Sequence, residues 1–176
     1  MVKPLSPAQA LCVAAGFLTA AAAAAPTPAQ ATPGQYVMGW IEQIRLPAAQ
    51  RVFNAKLDTG ATTSSVDARD IETFSRDEEE WVSFVIPGRD GADDIRLERE
   101  IARDVEIIQQ DGEMGEHRYV VILSVCLNGT LHNAQFTLAD REAFDEQFLL
   151  GRRLMEDVAV VHSGEKFLTE PGCSGS

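Results

Sequence analysis

Positive charge is scarce in this sequence. Its 176 residues include 15 Lys and Arg against 27 Asp and Glu, which gives a formal net charge of −12 at pH 7. Nucleic-acid binding depends on basic side chains that neutralise phosphates, and anionic membrane surfaces attract basic segments. We therefore expect neither a nucleic acid nor a membrane surface as partner. The length also excludes a two-lobed enzyme of roughly 300 residues and favours a single domain.

Motifs for binding metals and nucleotides are also absent. The histidines are His117, His132 and His162, and no two of them have the i, i+4 spacing of a helical zinc motif. No Gly-rich loop ending in Gly-Lys-Ser or Gly-Lys-Thr is present to bind ATP phosphates. We therefore expect no cofactor and no metal, and we expect His132 and His162 to lie on the surface.

One apolar run stands out, near the N-terminus. Lys3 precedes the Ala-rich run Ala10–Ala25, and Ala29-Gln30-Ala31 has the small-x-small pattern of a signal-peptide cleavage site. A membrane anchor is the alternative, but the run is shorter than the ~20 residues that a spanning helix needs. The pattern predicts a signal peptide over residues 1–31, export to the periplasm, and no membrane span after cleavage.

Cysteine is rare, with three in the chain. Cys12 lies within the predicted signal peptide and would be removed with it. In an exported protein the remaining two, Cys126 and Cys173, can form a disulfide. The alternative is a buried Cys126 within a strand and a free thiol at Cys173. The sequence leaves both open.

Short β-strands are the dominant pattern after the signal peptide. Runs rich in Val, Ile and aromatic residues predict strands at Tyr36–Ile41, Val52–Leu57, Trp81–Ile86, Ile101–Ile108, Tyr119–Leu127, Leu131–Leu138, Val158–Val161 and Lys166–Thr169. Asn128-Gly129 predicts a hairpin turn. Only Val66–Phe74 and Arg152–Glu156 are predicted to be helical. The pattern is typical of an all-β barrel or sandwich. The predicted organisation is a linker, a domain and a tail, at residues 32–35, 36–170 and 171–176.

The first chemical motif begins at Asp58. A strand that ends in Asp58 is followed by Thr59, Gly60 and Ala61. Glycine permits a sharp turn there, so that backbone N–H groups can face the carboxylate, and Thr59 can lock the turn by hydrogen bonding. Taken alone, an Asp-Thr-Gly triplet is more simply explained as an ordinary Asx-type turn.

A second motif changes that interpretation. Leu149, Leu150, Gly151 and Arg152 lead into a short predicted helix, and they resemble the psi-loop of pepsin-like folds. The two motifs in this order resemble the retropepsins, the single-lobed aspartic proteases of retroviral type, roughly from Trp40 to Met155. The chain also resembles a bacterial group of that clan often called ATP-dependent zinc proteases. Further similarity to that group lies at Gly115–Arg118 and Phe136–Arg141.

The resemblance implies a closed or partly open retropepsin-like β-barrel with a psi-loop and a short helix, one lobe per chain. Aspartic proteolysis uses two carboxylates that share one proton, because like charges ~3 Å apart cannot both be ionised. The chain has one Asp-Thr-Gly triplet, and neither Asp67 nor Asp70 is followed by Thr-Gly or Ser-Gly. We therefore expect a homodimer that pairs Asp58 with its copy, with Thr59 bracing the two turns and Gly60 admitting substrate.

Retropepsins also cover their site with a hairpin flap. The best candidate is Val105–Tyr119, where two glycines would give the tip the mobility of a lid. Its predicted tip residues are Asp111, Gly112, Glu113, Met114 and Gly115. Pro87–Gly91 is a competing tip. An acidic lid on an acidic protein is expected to favour basic or neutral substrates.

Two further positions are predicted to be structural. Asp140 and Arg141 are expected to hold the psi-loop or the dimer surface through a charge-assisted bond. Arg152 is placed beside the floor of the site, where the resemblance implies a role at the dimer interface.

Together these features predict an exported, homodimeric aspartic endopeptidase that hydrolyses peptide or protein substrates with a water activated by paired Asp58 carboxylates. A non-catalytic peptide-binding module on the same fold is the first alternative. A zinc-dependent hydrolase is the second, and it has the weaker support because the zinc motifs are missing.

Overall fold

The fold is built almost entirely of β-strands. A computed structural model describes residues 34–108 and 114–173. The strands are β1 (Tyr36–Leu46), β2 (Arg51–Leu57), β3 (Ser64–Asp67), β4 (Arg69–Arg76), β5 (Glu79–Ile86), β6 (Ile95–Ile108), β7 (Met114–Leu127), β8 (Thr130–Ala139), β9 (Phe148–Leu150) and β10 (Ala159–Lys166). A 3-10 turn, Pro47–Ala49, joins β1 to β2, and one short α-helix, α1, spans Arg152–Met155 within the described residues.

The strands form one sheet that closes on itself. β1, β2, β9, β3, β8 and β7 are neighbours in that order, and Arg45 of β1 pairs with Cys126 of β7. This pairing turns the strands into a barrel. β10 lies outside the barrel beside β1, and β6, β5 and β4 continue the sheet from β7. The predicted all-β, retropepsin-like barrel is confirmed.

β9 gives the barrel its psi topology. It lies between β2 and β3, which are consecutive in the chain, with Lys56 beside Leu149 on one side and Val66 beside Phe148 on the other. The Phe148 ring is fully buried, and its centroid lies 4.8 Å from that of Phe53. The aromatic core therefore fixes the strand that leads into the second sequence motif.

Two local features connect strands near β8. The predicted turn at Asn128-Gly129 is confirmed, with φ values of 48° and 78°, which are the positive values that a two-residue hairpin turn requires. Cys126 and Cys173 form a disulfide with their Cα atoms 5.3 Å apart. Of the two alternatives left open for the cysteines, the bonded pair is therefore the one present.

Two predicted elements are wrong. Val66–Phe74 is not a helix but the end of β3 and most of β4, because Val66 pairs with Leu138 of β8 and Asp70 has a φ of 49° that breaks any regular repeat. Lys166–Thr169 is not a separate strand, since β10 ends at Lys166. The N–H of Thr169 instead donates to the buried carboxylate of Glu42 at 3.1 Å.

Some predictions lie outside the described residues. These are the signal peptide at 1–31 and the flap-tip residues Asp111, Gly112 and Glu113. Met114 and Gly115, also predicted at the tip, belong to β7, where Met114 pairs with Ile108. In the described part of the chain, no helix is long and apolar enough to cross a membrane.

Candidate active site

Asp58 follows directly after β2, and the turn behind it orients its carboxylate. Oδ1 accepts hydrogen bonds from the N–H of Gly60 at 2.8 Å and of Ala61 at 3.3 Å. The N–H of Asp58 donates to the carbonyl of Leu150 at 2.9 Å, which ties the start of the turn to β9. Asp58 is half-buried, whereas Thr59 and Gly60 are exposed. The carboxylate is thus fixed by backbone donors at the protein surface.

Gly151 allows the chain after β9 to pass directly beneath this turn. A Cβ at Gly151 would lie 2.7 Å from the carbonyl carbon of Thr63 and 2.8 Å from its oxygen, distances too short for any side chain. The N–H of Gly151 donates to the Ser64 hydroxyl at 3.0 Å. The close approach that the psi-loop resemblance implies for this glycine is therefore present.

Arg152 holds the turn from the same side. Its N–H donates to the carbonyl of Ala61 at 2.9 Å. Its Nη1 donates to the carbonyls of Thr59 and Gly60 at 3.0 and 2.9 Å, and its Nη2 to the Thr62 hydroxyl at 2.9 Å. These bonds satisfy backbone carbonyls that the sharp turn leaves without sheet partners. Arg152 therefore supports the shape of the Asp58 turn without contacting the carboxylate.

A cavity of about 440 Å³ opens beside the turn. Its lining residues are Ala61, Thr62, Thr63, Ser65, Arg103, Val105, Arg118, Thr137, Arg141, Leu149 and Arg153. Among these described residues none is acidic and four are arginines, although the chain as a whole has a charge of −12. We refer to this space as the arginine cavity. Arg118 forms an ion pair with Glu116 at 2.7 Å, whereas Arg103 and Arg153 have no carboxylate partner among the described residues.

Arg141 forms the buried part of this cavity and is held by a polar network. The Arg141 backbone N–H donates to Asp67, which is fully buried and forms an ion pair with Arg89 at 2.7 Å. The Arg141 guanidinium donates to the Ser65 hydroxyl at 3.2 Å and to the carbonyl of Glu146 at 3.2 Å. Burial lowers the pKa of Arg141, and the charges of Asp67, Glu146 and Asp58 partly oppose that shift. Asp58 is thus one of three carboxylates that favour the charged form of the Arg141 guanidinium.

The β6–β7 hairpin stands over this cavity. Arg103 of β6 and Arg118 of β7 face the Asp58 turn, and Arg103 Nη2 lies 3.4 Å from the Thr63 hydroxyl. Arg89, in the competing tip Pro87–Gly91, is tied to Asp67 and to the carbonyl of Arg141. Arg103, Val105 and Arg118 line the cavity, whereas no residue of Pro87–Gly91 does, and the choice of flap stays a prediction.

Asp140 and Arg141 form no bond with each other among the described residues, and their structural role at the psi-loop or dimer surface stays a prediction. The Asp140 carboxylate is exposed and accepts a hydrogen bond from the N–H of Glu142 at 2.9 Å. Arg141 turns inward, where Ser65 and Asp67 lie. Adjacent residues at the end of a strand point to opposite faces, so these two side chains diverge.

The histidines do not form a metal site in the described part of the chain. His117 hydrogen-bonds to Asp104 at 2.9 Å, which lowers the pKa of Asp104. His162 is exposed, as expected. His132 is not a surface residue: it is half-buried, its pKa is lowered by burial, and its Nε2 has no hydrogen-bond partner among the described residues. No group of three His, Cys, Asp or Glu side chains is close enough there to hold a metal ion.

Arg103 and Arg153 of the cavity were not predicted as site residues from the sequence. A signal was present in β6, where Arg103 and Val105 alternate with Asp104 and Glu106. Such alternation places the basic and apolar side chains on one face of the strand and the acidic ones on the other. No comparable signal marks Arg89, which lies in the loop between β5 and β6 and pairs with Asp67 of β3.

Comparison with known proteins identifies the family. A family model described as RimB-like, with the description retropepsin-like aspartic endopeptidase RimB, matches residues 37–171. The chain belongs to the RimB-like family. The match includes the Asp58 turn, the β6–β7 hairpin and the psi-loop.

Similar proteins give two further comparisons. A probable alpha-L-glutamate ligase of Desulfotalea psychrophila is 38% identical over 111 residues, which are 62% of this chain and 24% of that protein. One of Shewanella pealeana is 32% identical over 136 residues, 76% of this chain and 30% of that protein. This RimB-like chain thus spans less than a third of those ligases.

A solved structure shares the same architecture. The crystal structure of a protein of unknown function from Legionella pneumophila aligns with a TM-score of 0.67 and 27% identity. The alignment covers 76% of this chain and 98% of the other. The RimB-like domain described here therefore accounts for nearly all of that protein.

Proposed function

We propose that this protein is a homodimeric aspartic endopeptidase whose working site pairs Asp58 of two chains. One carboxylate removes a proton from water, and the oxygen of that water attacks the scissile carbonyl carbon. The protonated partner carboxyl donates its proton to the carbonyl oxygen. The C–N bond then breaks as a proton passes to the leaving nitrogen. The single observation that carries the proposal is the Asp58 carboxylate, oriented by Gly60 and Ala61 and braced from beneath by the psi-loop.

The geometry of the turn supports a site shared by two chains. Asp58 is bonded to backbone N–H groups, and no second carboxylate among the described residues hydrogen-bonds to it. A hollow of about 290 Å³ lies beside the turn, lined by Thr59, Arg152, Met155, Glu156, Ala159 and Val161. β10, which borders it, pairs with β1 alone among the described strands. An apolar hollow and a free sheet edge next to half of a catalytic pair suit a twofold contact.

The arginine cavity favours acidic substrates. Arg103 and Arg153 have no carboxylate partner among the described residues, so their guanidinium groups are available to a ligand. This replaces the expectation of basic or neutral substrates, which considered only the acidic flap tip. Relatives named as probable alpha-L-glutamate ligases contain a similar domain within a longer chain. We therefore propose peptides containing glutamate as the substrate class. Export through the signal peptide at 1–31 remains part of the proposal.

Replacement of Asp58 tests the catalytic role. Asp58→Asn keeps an oxygen that can accept from the N–H of Gly60 and removes the ionisable carboxyl. Cleavage of Glu-rich peptides, followed by mass spectrometry from acid to neutral pH, is expected to fall by at least about a hundredfold. Asp140→Asn is the matched control, because Asp140 also caps a turn but lies outside the site.

The two alternatives give different results in the same assay. Cleavage by Asp58→Asn at the parental rate would exclude the aspartic mechanism. Peptide binding without cleavage by the parent protein would instead identify a peptide-binding module. Loss of cleavage on adding a chelator would point to a zinc hydrolase.

A further inference from the structure

One edge of β8 is open next to the candidate active site. On one side β8 pairs with β7 from Thr130 to Thr137. On the other side β3 pairs only with the last four residues, Phe136–Ala139. Among the described residues, none pairs with Leu131–Gln135 on that side. Gly129, just before β8, bridges to Cys173, and among the described residues no strand lies on that side of the five residues that follow Thr130.

The hairpin turn determines which backbone groups point out of this edge. Leu127 and Thr130 flank the two-residue turn, so they form a hydrogen-bonded pair, and such pairs alternate along an antiparallel ladder. Even-numbered residues of β8 thus direct their N–H and C=O groups toward β7. The odd-numbered ones, Leu131, Asn133 and Gln135, direct theirs outward. The carbonyl of Ala139, also odd-numbered, follows this rule, since it accepts from the N–H of Ala68 on the β3 side.

The open edge forms one wall of a groove. The groove has a volume of about 400 Å³, and its opposite wall is made by the segment that includes α1. Its lining residues are Ser64, Leu131, His132, Asn133, Ala134, Gln135, Arg153, Leu154, Asp157 and Val158. We call this space the β8 groove. The outward backbone groups of β8 suit an extended peptide, because main-chain bonds hold a peptide that joins a sheet edge.

The β8 groove continues the arginine cavity. Arg153 lines both spaces, and Ser64 of the groove follows Thr63 of the cavity. Gln135, at the near end of the open edge, accepts a hydrogen bond from Arg103 of the cavity at 3.0 Å. Arg153 and Gln135 therefore connect the arginine cavity to the open edge of β8.

We propose that the β8 groove is an exosite in which the distal segment of the substrate peptide adds to the sheet as an extra strand. This rests on the proposed endopeptidase function, because the occupant is the same peptide that is cleaved at Asp58. Three residues with outward backbone groups fix the peptide by main-chain bonds, so the exosite selects extended conformation rather than sequence. The apolar Leu131 side chain, 54% exposed, offers contact to an alternate side chain of the added strand.

Peptide length provides the kinetic test. The probes are a six-residue Glu-rich peptide that the enzyme cleaves and the same peptide with eight alternating Thr and Val residues added at either end. For one of the two extended peptides, kcat/KM is expected to exceed that of the short one by about tenfold. Equal values for all three would overturn the exosite.

A proline substitution tests the edge itself. Asn133→Pro removes an outward N–H, and proline is tolerated where the N–H faces away from the ladder. Asn133→Ala is the matched control, since both changes remove the Asn133–Ser124 hydrogen bond and only proline removes the N–H. The advantage of the extended peptide is expected to disappear in Asn133→Pro and persist in Asn133→Ala. Loss in both, or in neither, would contradict the added strand.

A binding measurement separates the exosite from the catalytic proposal. In Asp58→Asn protein, which is expected not to cleave, the extended peptide should slow amide hydrogen exchange in Leu131–Gln135, and the short peptide should not. Unchanged exchange would overturn the exosite even if the parent cleaves peptides. Protection in a protein whose parent cleaves none of the peptides would leave the exosite supported and overturn the endopeptidase function.

Discussion

The backbone of Thr63 lies against Gly151 so closely that a Cβ on the glycine would be 2.7 Å from the Thr63 carbonyl carbon. This contact joins the psi-loop to the turn that carries Asp58. It connects two motifs that are far apart in the sequence, and it makes the position of the carboxylate depend on the absence of one side chain.

The first prediction concerns Gly151→Ala. The added methyl group collides with backbone rather than with a flexible side chain, so the turn or β9 must move. We expect the free energy of unfolding to fall by about 1–3 kcal/mol, as for overpacked sites, and peptide cleavage to be lost. Chemical denaturation measures the first effect. Gly172→Ala is the control, because a Cβ there meets nothing within 4 Å. Equal stability of the two variants would refute the close contact.

The second prediction concerns the charge of the arginine cavity. Arg103→Gln is expected to lower kcat/KM by about tenfold for a peptide with Glu beside the scissile bond, since a charge-assisted bond is lost. The Gln-containing version of that peptide should change little. Arg99→Gln is the matched control, because Arg99 lies on the same strand outside the cavity.

Salt adds a second readout for the same variants. The preference of the parent protein for the Glu-containing over the Gln-containing peptide should weaken as ionic strength rises. Salt screens the attraction between the arginine side chains and the glutamate carboxylate. If Arg103→Gln lowers kcat/KM for the Glu-containing peptide no more than Arg99→Gln does, the cavity does not select acidic substrates.

The third prediction concerns the disulfide. Cys126 and Cys173 close a loop with a sequence separation of 47 residues, so its loss should lower the free energy of unfolding by about 4 kcal/mol on the chain-entropy estimate. Reductant should shift the denaturation midpoint of the parent protein and leave that of Cys173→Ser unchanged. A parent midpoint that is insensitive to reductant would show that the bond contributes no stability.

The sequence revealed those features of the site that depend on short motifs. The Asp58 turn and the Leu149–Arg152 segment each have a local pattern of glycine and apolar residues, and the fold brings them together. The strand interpretation failed at Val66–Phe74, where polar Asp67 and Asp70 interrupt the alternation. In its buried strand Asp67 pairs with Arg89, 22 residues away in the chain, and accepts the N–H of Arg141, and neither partner is marked by a local pattern.

The positions of the cavity arginines could not be predicted from the composition of the chain. The net charge suggested an acidic surface throughout, and it gave no sign that arginines would gather beside Asp58. The placement of Arg103 and Arg118 follows from which face of β6 and β7 turns toward the cavity, and a shift of one residue in register would reverse that face. The expected substrate charge was based on the acidic residues of the flap tip. The side chains that line the cavity lie further along both strands, at Arg103, Val105 and Arg118.

The claim that one site needs two chains is tested most directly by mixing. Parent protein and Asp58→Asn protein, combined in equal amounts after dissociation and allowed to reassociate, should retain about a quarter of the parental activity per total chain, because mixed dimers hold one carboxyl and are inactive. Activity should follow the square of the parent fraction across a series of mixtures. Activity that falls in proportion to that fraction, reaching half at equal amounts, would contradict a shared Asp58 pair.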